Sequence, residues 1–322
     1  MSLQKPPSAE RSSRLVGRLL FLIILLAIVA VSIWAAVTLQ RIDLVESTPL
    51  DSLERDTAVE ASGLSIDVKE GDGGSIPVIL LHDFDVAGSV LLEDLAGEID
   101  GRFRPVLVDL PGFGLSQRIP EPGDPHTVSS MAATVGTVIS QRYDVPVVIV
   151  GVGLGGQVGA ELAVTQPELM RGLVMVDVDF SREGDWVAFA EGLPYIGPAV
   201  IHTFEAGGRF SLDRWAPECD EGGWCPTTDQ IAARDLAASL QGTTESLAAF
   251  LETPRSSLVP SELDAISLPT AYVWSTEGPV TKESAETVTE SVPEISLLEA
   301  DVWKAHLESI ETVVEAVELV GS

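Results

Sequence analysis

Residues 147–163, VVIVGVGLGGQVGAELA, constrain the fold more than any other stretch of this 322-residue chain. The four β-branched residues Val147 to Val150 read as a buried strand, because branched side chains pack well on a pleated surface. Glycines at 151, 153, 155, 156 and 159 then form a tight turn and the start of a small-residue helix. Missing side chains let strand and helix approach closely. A buried strand turning sharply into a helix is the repeating unit of a mostly parallel sheet with helices on its faces.

The rest of the chain supplies the other units. Leu64–Val68 alternates like a strand, and 71–74 is a glycine turn. Short apolar runs at Pro77–Leu81, Pro105–Asp109, Leu173–Val176 and Ala271–Trp274 read as further strands. Helical patterns cover 127–143, 155–166, 281–291 and 307–319. This predicts one α/β domain over 57–322, its sheet mostly parallel and covered on both faces. From Phe180 to about Asp264 the alternation stops, and Trp186, Trp215, Trp224 and several Gly-Pro turns appear. A mostly helical cap over the sheet's C-terminal edge, at about 181–264, accounts for that insertion.

Leu19 to Leu39 is an almost unbroken apolar run. At 1.5 Å per residue it spans roughly 30 Å, a bilayer's hydrocarbon thickness. The core of a cleaved signal is shorter, about 7–15 residues, and no good A-x-A site follows this run. A retained transmembrane helix over 19–40 is therefore expected, with the bilayer as partner of residues 19–39. Lys5, Arg11, Arg14 and Arg18 precede it, whereas Arg41 is followed by Asp43, Glu46, Asp51 and Glu54. The positive-inside rule makes 1–18 a disordered cytoplasmic tail, 41–56 a linker and the remainder extracytoplasmic, in a single-pass cell-membrane protein.

Composition supports that placement. Asp and Glu outnumber Lys and Arg by 49 to 19, a net charge of −30 that repels nucleic acid. The two cysteines, Cys219 and Cys225, are expected to form a short-loop disulfide outside the cytoplasm, with reduced thiols as the alternative. Two close sulfurs with no neighbouring histidine are too few for zinc, so no metal is expected.

Several motifs now occur in the order of one family. Leu80-Leu-His-Asp-Phe84 resembles the strand and HG turn that supply an oxyanion-hole amide in α/β-hydrolases. Asp109-Leu-Pro-Gly-Phe-Gly-Leu-Ser116 resembles the D-x-P-G-x-G-x-S segment after the next strand. Gly151-Val-Gly-Leu-Gly155 is built like the G-x-S-x-G nucleophile elbow. The segments 166–177, 268–279 and Val302–Glu308 resemble the next strand, the acid-bearing strand and turn, and the histidine segment. The resemblance implies an α/β-hydrolase fold with oxyanion amides from Phe84 and Leu154.

It also implies where a catalytic triad belongs, and the residues there are Gly153 for the nucleophile, Gly278 for the acid and Trp303 for the histidine. None can serve in acyl transfer. The leading expectation is thus a membrane-anchored pseudoenzyme that binds a small apolar ligand or an envelope protein. Its Trp303 indole would fill the space beside Gly153. The alternative is an active ester or amide hydrolase with a rearranged site using Asp177 or Asp179 with His306. Asp83, in place of the HG glycine, adds negative charge near the oxyanion turn, where His82 is expected to order the backbone. His126 and His202 belong to no constellation in the sequence. A third reading takes Gly151-x-Gly153-x-x-Gly156, with Asp177 beyond it, as a dinucleotide fingerprint. The strands before it weigh against that, and no cofactor is expected.

Overall fold

The computed structural model describes residues 7–180, 196–203, 224–253, 258 and 260–322. A long helix, α1 (Pro7–Val45), precedes β1 (Ala58–Ala61), β2 (Leu64–Glu70) and β3 (Ile76–Leu81). Then come α2 (Glu93–Glu98), β4 (Phe103–Val108), α3 (Val128–Arg142), β5 (Val147–Val152), α4 (Leu154–Thr165) and β6 (Met170–Val176). The insertion contributes α5 (Gly197–Ile201), α6 (Thr228–Ser239) and α7 (Thr243–Glu252). The chain closes with β7 (Thr270–Ser275), α8 (Lys282–Ser291), β8 (Ser296–Ala300), α9 (Ala305–Glu308) and α10 (Ile310–Val320).

One eight-stranded sheet runs in the order β1-β2-β4-β3-β5-β6-β7-β8. β2 pairs antiparallel with both β1 and β4, and every pairing from β4 through β8 is parallel. Alternate residues supply two cores. Ile79, Leu81, Ile149 and Met175 face one way, toward α3, α4 and α8. Val78, Leu80, Val148 and Val174 face the other, toward α2 and α10. Strand order reverses between β3 and β5, so the crevice beyond their C-terminal ends is the place where such sheets bind ligands.

Some expectations change. β1 and β8 carry no clear apolar alternation because they are edge strands, half-exposed along most of their length. The helix expected at 307–319 is broken at Ser309 into α9 and α10. Residues 7–18 are helical, not disordered, because nothing between Ala9 and Leu19 stops α1 from propagating backward. Cys219 lies outside the described residues, and with it the expected disulfide; so do Trp186 and Trp215.

The span 41–56 is not a free linker. On α1, Ala35 is buried and Thr38, Leu39 and Ile42, on the same face, are half-covered. Beyond the helix, Glu46 is buried and accepts from the backbone N–H of Thr244 (3.0 Å) and from its hydroxyl, at the first turn of α7. His202 Nδ1 lies 3.5 Å from the same carboxylate oxygen. Thr48 donates to Ser239 O and accepts from Gln241 N–H, both 3.0 Å, so the chain pairs with the turn between α6 and α7. A carboxylate on the unsatisfied amides of a helix start is a stabilising cap. Glu46→Ala in the full chain is expected to cost about 1–2 kcal/mol. Thermal unfolding checks this, and an unchanged midpoint would show the contact to be energetically idle.

Candidate active site

β3 ends at Leu81 and β5 at Val152, side by side at the switch point. Gly153 follows with φ 48° and ψ −110°, a conformation that side chains avoid and glycine adopts at little cost. Its N–H reaches Val176 O, and Gly155 N–H reaches His82 O, both 3.0 Å. A Cβ at Gly155 would run into the backbone of Leu81, so glycine here allows α4 to start against β3. The geometry of a nucleophile elbow is therefore fully present.

What fills it was not foreseen. A side chain built on Gly153 would overlap the carboxylate of Asp83, whose Oδ1, Cγ and Oδ2 are the three nearest atoms. That carboxylate accepts from the N–H of Leu154 at 2.8 Å, the amide that would serve an oxyanion hole. The three atoms nearest the vacant place are thus those of Asp83, and the expected Trp303 indole is not among them. Asp83 is nonetheless exposed. Its negative charge stands at the start of α4, where a pyrophosphate would have to bind, which removes the physical basis of the dinucleotide reading.

His82 orders this turn from below. Its Nε2 accepts from Leu110 N–H (2.9 Å), and its Nδ1 lies 2.6 Å from Asp83 O, so Nδ1 carries the proton and donates. Phe84 packs on Phe113 and Phe250, with ring centroids 5.5 and 5.2 Å away. Phe250 belongs to α7, so the helix capped by Glu46 also roofs the residue next to Asp83.

Asp177 sits just past β6 with φ 50°, strained for a residue with a side chain. Its carboxylate accepts from Ser275 N–H (2.7 Å) and Ser275 Oγ–H (2.6 Å). Ser275 Oγ in turn accepts from Ala305 N–H at 2.8 Å. Burial pushes the Asp177 carboxyl up, the Ser275 hydrogen bonds and Lys304 pull it down, and the charge of Asp83 raises it further. The two carboxylates therefore feel each other's charge. Asp179 is half-buried, its backbone carbonyl accepting from Gln157 Nε2 at 2.8 Å.

The remaining triad positions offer no chemistry of their own. A Cβ on Gly278 would lie 2.7 Å from Trp303 O and 2.9 Å from Ser275 Cβ, so the turn is closed to a larger residue. Trp303 is half-buried, with Lys304 Nζ 5.0 Å from its ring centroid. His306 is buried with no hydrogen-bond partner on Nδ1. Burial, helped by Lys304, pushes it down to about 3, so it stays neutral at pH 7. With Nδ1 unpaired and its proton affinity lowered this far by burial, His306 is a poor water-activating base for the rearranged site. His126, buried with Nε2 2.9 Å from Ile119 O, is also lowered by burial.

These histidines give stability a pH dependence. In the unfolded chain each takes up a proton near pH 6.5, while the folded state resists until well below that. Stability should therefore fall as pH drops from about 6.5 toward 3. His306→Leu should flatten the slope by about one proton. Urea unfolding at pH 7, 5.5 and 4.5 measures it, and equal slopes in both chains would contradict the assignment.

A model of the "Alpha/beta hydrolase family" matches residues 78–312. The chain is 31% identical over 129 residues to a pimeloyl-[acyl-carrier protein] methyl ester esterase of Aeromonas salmonicida, covering 39% of this chain and 45% of that one. To the esterase of the same name from Photorhabdus laumondii it is 32% identical over 136 residues, 42% and 46% of the two chains. It thus spans under half the length of these curated relatives. A thermophilic esterase from Thermogutta terrifontis superposes with TM-score 0.62 at 22% identity, over 83% of this chain and 97% of that one. A membrane phospholipase A superposes with TM-score 0.62 at 18% identity, over 96% and 99% of the chains. These structural likenesses concern the fold.

Proposed function

This chain belongs to the alpha/beta hydrolase family, and from that premise we propose that it is a membrane-anchored hydrolase working through carboxylates instead of a serine–histidine relay. The observation that carries this reading is the exposed Asp83 carboxylate, standing where the elbow's side chain belongs. Asp177, its carboxyl raised by burial, is the base in this reading. The esterase names of the curated relatives support hydrolysis as the reaction class. The apolar helix over Val16–Val45 is long enough to hold the protein in a bilayer, with the domain on the extracytoplasmic side.

A binding-only protein is the second reading. It is favoured by Gly153, Gly278 and Trp303, and by the seating of Asp83 on Leu154 N–H, which denies that amide to a substrate's oxyanion. The deciding experiment uses the full chain in nanodiscs, since a fragment from residue 57 would lose the Glu46 contact. 4-Nitrophenyl butyrate and styrene oxide are the probes. Turnover above buffer that is lost in Asp83→Asn and kept in His306→Leu supports the carboxylate hydrolase. Absence of turnover with both probes supports the binding protein.

A further inference from the structure

We propose that α5 rests in the lipid interface on the domain's side of the bilayer, so that the insertion, as well as α1, is a membrane contact. This rests on the reading of α1 as a bilayer-spanning anchor and extends it to a second element. The stripe that the domain covers on α1 begins inside the apolar run. Ala35, Thr38, Leu39, Ile42 and Glu46 follow one another at helical spacing and are buried or half-buried. Their neighbours Ala36, Val37, Gln40 and Arg41 are exposed. Ala27 and Ala30, in the same run, are exposed too, so Ala35 is covered by another element and not by its own helix.

Depth along α1 decides what that cover touches. The run ends at Leu39 and matches the hydrocarbon thickness. Ala35 comes one turn earlier, about 6 Å deeper at 1.5 Å per residue. Protein packed on Ala35 therefore reaches below the hydrocarbon boundary on that side. α5 packs on α1, and His202, the residue after it, stands against Glu46. Its five residues, Gly197 to Ile201, include no polar side chain, and Pro198 and Val200 are only half-buried. The sequence leading into it, WVAFAEGLPYI over 186–196, holds one charge, Glu191, in a chain with 49 acidic residues among 322. Aromatic residues with few charges are the composition of a membrane–water interface. An acidic domain that meets anionic headgroups elsewhere at a cost needs such an uncharged face where it touches lipid. α5 also packs on α7, whose Phe250 meets Phe84 beside Asp83. Lipid contact is thereby one helix removed from the crevice.

The test needs no substitution. The full chain is reconstituted in phosphatidylcholine vesicles that contain a phosphatidylcholine with a diazirine on its acyl chain. Two such lipids are compared, one with the diazirine near the glycerol and one with it near the methyl end. After irradiation and digestion, adducts are mapped residue by residue. The deep probe is expected on the middle of α1, around residues 24–31. The shallow probe should mark residues 198–201 about tenfold more than Leu297 or Leu319, apolar residues that are more exposed but lie elsewhere on the domain. Adducts on α1 with none on α5 overturn the proposal and leave the anchor standing. Adducts on Leu297 and Leu319 equal to those on α5 overturn it as well. Absence of adducts on α1 removes the anchor itself, and this contact with it.

Discussion

Gly153→Ser, which writes the elbow's serine back into the sequence, is expected to destabilise the chain without making it a serine hydrolase. A side chain at φ 48° costs on the order of 1–3 kcal/mol in backbone strain alone. Its Cβ also falls inside the Asp83 carboxylate, which must leave and surrender its bond to Leu154 N–H. A hydrogen bond to a charged group is worth about 1.5–3 kcal/mol. The sum is about 3–5 kcal/mol, a fall of roughly 10 °C in unfolding midpoint for a domain of this size. The double variant Gly153→Ser with Asp83→Gly should recover the part due to overlap but not the strain. Calorimetry of the four chains closes the cycle. Additive effects would mean the two positions do not meet in solution.

Arg118→Ala is expected to cost as much by a different route. The guanidinium is buried and donates to Thr243 Oγ1 (2.9 Å), Ser116 O (3.0 Å), Gly114 O (2.8 Å) and Ala237 O (2.8 Å). Burial lowers it to about 10, opposed by Asp109 and Glu46, so it remains charged at neutral pH. It therefore binds the turn between α6 and α7 to the loop after β4. Removing it takes the side-chain donor from Gly114 O and Ser116 O, while Ala237 O keeps Leu240 N–H and Thr243 Oγ1–H, which puts the loss at roughly 3–5 kcal/mol. Hydrogen exchange should locate the first opening in α6 and α7, ahead of the sheet. Uniform loosening of the whole domain would show that Arg118 supports the sheet instead of the cap.

The sequence disclosed the central strands because both their faces are buried. In β3, β5, β6 and β7 almost every residue must be apolar, which leaves a continuous run to read. β8, with one buried residue in five, left no such trace. The emptied triad positions were legible because each lies in a local motif. The use made of the vacancy was not, because Asp83 and Gly153 are 70 residues apart and meet only when β3 and β5 pair. Asp83 did stand out in sequence as a departure from the HG turn, which was the one available signal. Glu46 gave none, being one acidic residue among several after the apolar run.

Glu46 and Thr48 bear on more than cap stability. If α1 crosses a bilayer, the domain has no stalk on which to swivel, because the last turns of α1 and the residues after it are built into the cap. Its attitude over the membrane is then set by the lean of a single helix. A thinner or thicker bilayer would tilt the whole crevice, with α7 as the lever between the lipid and the Phe84 turn.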